Sequence, residues 1–253
     1  MTTAVQDKGA VIVTGASRGI GAAIAERLAE DGYGVIVNYA GDQQGADSVV
    51  AAIKANGGRA TAVRADVASE DDVAAMFTRA RKEMGPLAAL VNNAGIVGDA
   101  RRVEEQQADK LAHLMQVNVV GAMVCAKHAV RAMSTAHGGQ GGSIVTMASI
   151  AAKAPGHVDE VPVAYDTTKG ALVTFARGLS NEVAGEGIRS NSVSPGVIDT
   201  DMSAGLSQVR DLAEHGPMGR IGRPDEIAAT VSWLISPESS YVTGTDILVS
   251  GGL

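Results

Sequence analysis

Aromatic residues are scarce in this chain: two phenylalanines, one tryptophan and four tyrosines make up 3 % of its 253 residues. The hydrophobic 45 % is therefore mainly Ala, Val, Ile and Leu, which suits a parallel sheet buried between helices. Cysteine occurs once, at Cys125, so no internal disulfide can form. That fits a reducing, cytoplasmic setting, and the apolar stretch VVGAMVCAKHAV makes Cys125 a core residue rather than a nucleophile. No Lys/Arg block stands out, and 21 basic against 28 acidic residues leave a net charge of −7. Nucleic acid and anionic membrane are thus poor partners. No run reaches about 18 apolar residues, and the opening MTTAVQDKGAVIV lacks the pattern of a signal peptide. His113, His128, His137, His157 and His215 show no metal-ligand spacing, so no metal is expected.

What is present is an alternation. Short β-branched runs at residues 10–13, 34–38, 60–64, 87–91, 142–147, 188–193 and 246–249 read as seven strands. Helical patterns lie between them: Ile20, Ile24, Ala25 and Leu28 mark one apolar face, and Val73, Ala74, Phe77 and Ala80 another. Strand and helix repeated in this way imply right-handed crossovers and an α/β fold with a parallel sheet. The 31 glycines fall at turns and helix ends, and HGGQGG at 137–142 is too short to separate domains. Residues 1–253 therefore read as a single domain.

The first strand runs directly into TGASRGIG at residues 14–21, and a helical face begins at Ile20. A glycine-rich turn between strand and helix is where backbone can approach a pyrophosphate and the helix N-terminus can face it. Gly15 can supply the tight turn, Gly19 the close approach, and Gly21 the helix–strand contact; Ser17, Arg18 and Ile20 complete the turn. The end of the second strand normally reads the adenosine ribose. Here it is Val37-Asn38-Tyr39-Ala40, with Asn38 where an NAD-selective carboxylate would stand. With Arg18 in the turn, this favours NADP(H) over NAD(H), although Asp42 lies nearby.

Further along stand Tyr165 and Lys169, in YDTTK. Four residues apart on a helix, the two side chains leave one face. A free phenol has a pKa of about 10, and an adjacent ammonium is expected to lower it, making Tyr165 an acid/base.

With TGASRGIG, NNAG at residues 92–95 and YDTTK in this order, the chain resembles the short-chain dehydrogenase/reductase family over nearly its whole length. The resemblance implies a Rossmann-type, doubly wound seven-stranded parallel sheet of order 3-2-1-4-5-6-7, with helices on both faces. It implies that Asp66, with Val67, contacts adenine, and that Asn92, Ala94 and Gly95 border the cofactor. Pro195, Gly196, Val197, Ile198 and Thr200 would meet the nicotinamide amide and the phosphates. It places Asn118, Ser149, Tyr165 and Lys169 in a catalytic tetrad. Ser149 would donate a hydrogen bond to a carbonyl oxygen, Asn118 would hold a relay water, and Lys169 would also hold the nicotinamide ribose. Tyr165 and Lys169 thus count among the cofactor contacts.

The resemblance further implies an oxidoreductase acting on a small-molecule carbonyl or alcohol, and a homotetramer. The separation of Ser149 and Tyr165 is longer than is usual in that family, the extra length lying in residues 153–164. Residues expected to line the substrate are Ile96, Val97, Ala151, Lys153, His157, Val197 and Met202, under a lid at about residues 200–220. Their mostly apolar character favours a ketone reductase. Reduction of a 3-oxoacyl carrier protein, oxidation of a sugar such as glucose, and a non-catalytic dinucleotide-binding regulator stay open. Asn181, where acyl-carrier reductases carry an arginine, weakens the first of these.

Overall fold

The computed structural model describes residues 8–153, 161–204 and 216–253. Seven parallel strands pair in the order β3-β2-β1-β4-β5-β6-β7. In chain order they are β1 (Ala10–Val13), β2 (Gly34–Tyr39), β3 (Arg59–Arg64), β4 (Leu87–Asn92), β5 (Gly142–Met147), β6 (Ile188–Pro195) and β7 (Asp246–Val249). Three match the expected bounds, and the others run one or two residues further. Asn92 still pairs with Thr146, and Pro195 with Val249, so the ladder outlasts the apolar run that announces it.

The helices are α1 (Gly19–Glu30), α2 (Gln43–Ala55), α3 (Glu70–Met84), α4 (Ala108–Met115), α5 (Gly121–Met133), α6 (Val163–Val183), the short α7 (Asp201–Ala204) and α8 (Pro224–Ile235). Local chemistry sets their ends. Ser69 caps α3 by accepting from Asp72 N, three acidic residues occupy its first turn, and Arg81 and Lys82 its last, as the helix dipole favours. Its buried stripe is Val73, Met76, Ala80 and Met84. Phe77, expected in that stripe, is only partly covered and lies tilted against His128, ring centroids 5.5 Å apart.

Side chains alternate across the sheet and build two cores. Val11, Val13, Val35, Val37, Val145 and Val193 face α1, α2 and α8. Ile12, Ile36, Leu90 and Ile144 face α3, α5 and α6. Each such aliphatic side chain contributes about 1.5–3 kcal/mol through burial. Cys125 belongs to the second core, where burial pushes its thiol up to about 12, so it is inert. The chain crosses to one side of the sheet after β1 and to the other after β4. The crevice this opens at the strands' C-terminal ends is where open α/β sheets bind ligands. No helix among the described residues is long and apolar enough to cross a membrane.

Candidate active site

The glycine turn follows β1 and faces that crevice. Gly19 has φ of 57°, a region that side chains disfavour. A Cβ there would lie 3.4 Å from Thr200 Cγ2, so the loop after β6 closes over the turn. At Gly21 a Cβ would meet Gly15 O at 2.4 Å and Asn93 Nδ2 at 2.5 Å. Only glycine fits there. The helix that follows has no side-chain cap at Arg18, leaving its first N–H groups to a ligand. An uncapped helix N-terminus behind a glycine cradle suits a pyrophosphate, so these residues fit the dinucleotide expected from the sequence.

Two residues that hold the turn were not singled out in the sequence. Thr14 Oγ1 accepts from Asn93 N at 2.9 Å and from Ala94 N at 3.0 Å, and donates to Val91 O. Asn93 Nδ2 donates to Thr14 O and Gly15 O, both at 2.9 Å. Their signal was position: Thr14 opens the glycine motif and Asn93 stands inside NNAG.

Asn38, expected at the ribose, is buried. Its Oδ1 accepts from Gly15 N at 3.1 Å, and its Nδ2 donates to Ala65 O at 3.0 Å and Val63 O at 3.3 Å. The side chain thus braces the turn against β3, because an amide can satisfy donor and acceptor backbone groups at once. The exposed residues beyond β2 are Ala40, Gly41 and Asp42. Asp42 caps α2 by accepting from Gly45 N at 2.9 Å, and Arg64 Nε donates to Ala40 O at 3.3 Å. Arg18 is exposed beside this loop, since a Cβ on Gly45 would meet Ser17 O at 2.7 Å.

Asp66 is exposed and accepts from Ala68 N, Val67 packs on Gly121, and Asn92 Nδ2 ties β4 to Ala122 O. Ala94 lies against Gly15, which joins the NNAG segment to the turn.

Asn118 occupies a single π-helical turn, Gln116–Val120, between α4 and α5. Such turns frequently mark functional sites. Its Oδ1 accepts from Ile96 N at 2.8 Å; its Nδ2 donates to Ile96 O at 2.8 Å and Thr168 Oγ1 at 3.1 Å. Both ends of the amide therefore hold protein groups, and Ile96, expected at the substrate, is engaged through its backbone.

Ser149 follows β5 and opens a short 3₁₀ turn, accepting from Ala151 N at 3.2 Å. Tyr165 and Lys169 lie on the first turns of α6, and Tyr165 is hydrogen-bonded to Ser149. Lys169 Nζ donates to Met147 O at 2.9 Å and sits 5.4 Å from the centroid of the Tyr165 ring.

The expected lowering of the tyrosine pKa does not appear. Burial pushes Tyr165 up to about 12, the Ser149 bond opposes this, and the neighbouring Asp166 adds to it. Burial also brings Lys169 down to about 8. Desolvation disfavours the charged form of each. At neutral pH Tyr165 is a protonated phenol, a proton donor.

These groups border one cleft of about 390 Å³, within the usual range of small-molecule sites. Ile20, Asn93 and Gly95 form the side next to the glycine turn, together with Pro195 at the end of β6 and Gly196, Ile198 and Thr200 from the loop after it. Val97, Ala151, Val161, Val197 and Met202 make an apolar wall. Asp166 and Leu253 also line it, and neither carried a signal in the sequence. Ile96 and Lys153 do not. His157 lies outside the described residues. Among the described residues no cluster of His, Cys, Asp or Glu could hold a metal.

The enoyl-(acyl carrier protein) reductase family model matches residues 15–253. The uncharacterized oxidoreductase YgfF of Escherichia coli is 42 % identical, covering 95 % of this chain and 98 % of its own. Glucose 1-dehydrogenase 2 of Bacillus subtilis is 37 % identical over 96 % of this chain and 93 % of its own. A short-chain dehydrogenase of Burkholderia cenocepacia, solved in complex with NADP, superposes with a TM-score of 0.89 at 34 % identity, covering 99 % of both chains. With its strand order, its glycine turn and relatives of this kind along its whole length, the chain is an oxidoreductase of the short-chain dehydrogenase/reductase family.

Proposed function

We propose that the protein is an NADP(H)-dependent reductase that converts a ketone of small or medium size to a secondary alcohol. The observation that carries this reading is the meeting of Tyr165, Ser149 and Lys169 in one cleft with the end of the glycine turn, behind an apolar wall. When bound, the nicotinamide supplies the hydride. Tyr165 gives its phenolic proton to the carbonyl oxygen as charge develops there. Ser149 donates a hydrogen bond to the same oxygen, an oxyanion-type stabilisation. The Lys169 ammonium, facing the ring at 5.4 Å, favours the phenolate left behind. Asn118 holds the Ile96 backbone and Thr168, and so fixes the floor beneath Lys169.

Preference for NADP(H) rests on the exposed Arg18 beside the loop after β2, where Ala40 and Gly41 carry no charge; the NADP complex of the Burkholderia relative supports it. Asp42, the acid in that loop, has its carboxylate engaged in capping α2. The exposed methionines Met202 and Met218 lie near the two ends of the proposed lid at about 200–220, of which 205–215 lie outside the described residues. Exposed Trp233, Tyr241 and Leu248 on α8 and around β7 support a homotetramer built through the last helix and strand.

Loss of NADPH absorbance against ketones, a 3-oxoacyl thioester and diketones, with NADH in parallel, tests the reading. Turnover with NADPH well above NADH is expected. Silence with every carbonyl while cofactor still binds would overturn it.

A further inference from the structure

Lys153, expected at the substrate, has a different neighbour. Its Nζ pairs with Asp246 Oδ2 on β7 at 3.4 Å, and the Asp246 side chain is only 8 % exposed. Asp246 Oδ1 accepts from Ser192 Oγ at 2.7 Å and Ser194 Oγ at 2.9 Å, and Oδ2 lies 3.0 Å from Ser194 Oγ. Ser190, Ser192 and Ser194 share the face of β6 turned toward α6, where Ser190 Oγ donates to Ala176 O. The hydroxyls replace water around the carboxylate but bring no charge. Among the described residues Lys153 is the cation paired with it.

The position of Lys153 gives the pair its meaning. Ser149 opens the short turn Ile150–Ala152 and Lys153 closes it: Ala152 N donates to Ser149 O at 3.0 Å, and Lys153 N to Ile150 O at 2.8 Å. One end of the turn carries the hydroxyl bonded to Tyr165. The other end is anchored, through the ammonium, to the last strand of the sheet. Ala148 N, just before the turn, donates to Val193 O at 2.8 Å and ties its start to β6, while the ion pair ties its far end to β7.

We propose that Lys153 and Asp246 form a positioning latch, which holds the Ser149 turn against β6 and β7 so that Ser149 stays on Tyr165 and Ala151 stays in the cleft wall. Neither residue touches the reacting atoms; both act through Ser149. The latch rests on the reading that Ser149 and Tyr165 are the catalytic pair.

The test uses the full chain as Lys153→Met, Lys153→Arg, Asp246→Asn and the double variant Lys153→Met/Asp246→Asn. For each, kcat, both KM values and the thermal midpoint are measured, with Tyr165→Phe alongside. A displaced Ser149 predicts an approximately tenfold fall in kcat for Lys153→Met. The KM for NADPH should stay within about twofold, because the glycine turn is built separately. Lys153→Arg should recover most of the rate. The double variant should be no slower than the worse single one, since both remove the same interaction. The thermal midpoints should show the same non-additivity without any cofactor.

Wild-type kcat in folded Lys153→Met, or additive losses in the double variant, would overturn the latch. So would a lower midpoint with kinetics unchanged, which is a purely structural role. If Asp246→Asn does not fold, the Met and Arg variants at Lys153 still decide. An inert Tyr165→Phe beside a fully active Lys153→Met discards the latch alone, whereas an active Tyr165→Phe discards the reading beneath it.

Discussion

The two sides of the cleft are built differently. On the side of the glycine turn, backbone meets backbone at contact distance, and Thr14, Asn38 and Asn93 lace β1, β2, β3 and β4 together through hydrogen bonds. On the opposite, apolar side, short turns carry the lining side chains, and Lys153 reaches the sheet through a half-exposed ion pair. The first kind of construction tolerates almost no change in residue type. The second tolerates many, which is how one fold can serve many substrates.

The sharpest way to break this contrast is at Asn38. Asn38→Leu keeps the size but takes the acceptor from Gly15 N and the donor from Ala65 O. Each buried backbone group stranded in this way costs about 1–3 kcal/mol. Chemical denaturation should show a loss of several kcal/mol, and cofactor affinity should fall with it. A variant as stable as the wild type would mean that the brace is not what holds the turn.

Lys169→Met should separate function from stability. Burial brings Lys169 down to about 8 from 10.5, so the folded state holds its proton less tightly than the unfolded chain. The charged side chain therefore destabilises the fold below about 8, and that penalty disappears as pH rises from about 8 to 10.5. At neutral pH the variant should unfold at higher temperature than the wild type and be catalytically inert. Its advantage should shrink on going alkaline, and an advantage that grows instead would contradict the sign.

Arg18→Ala probes the exposed edge of the braced side. The KM for NADPH should rise about tenfold, the loss of one charge-assisted contact, with NADH nearly unaffected. Equal losses for both cofactors would make Arg18 a general contact rather than a selector. The smallest expected effect is in the pH profile: the rate of reduction should be level on the acid side of about 8 and decline above it as Lys169 loses its charge.

The same contrast explains what could be read from the sequence. The strand cores, such as Ala10–Val13, were legible because a parallel strand buried on both faces must be a continuous apolar run. The glycine turn and the Tyr165–Lys169 pair were legible because backbone proximity and helical period fix their spacing. The fate of Asn38 was not, because whether an amide faces outward or inward depends on carbonyls of β3 far along the chain. Lys153 looked like a cleft residue because it follows Ser149 closely; Asp246, its partner, lies at the other end of the sequence. The raised tyrosine pKa was hidden for the same reason: spacing shows that a lysine is near, whereas burial is a property of the whole fold.

The most direct test of the account is Tyr165→Phe, measured for turnover and, by fluorescence titration, for cofactor binding. The account predicts that binding survives and turnover drops by about 10²–10⁴-fold, the usual contribution of a positioned general acid. Turnover close to that of the wild type would contradict it, because the proton would then come from elsewhere in the cleft.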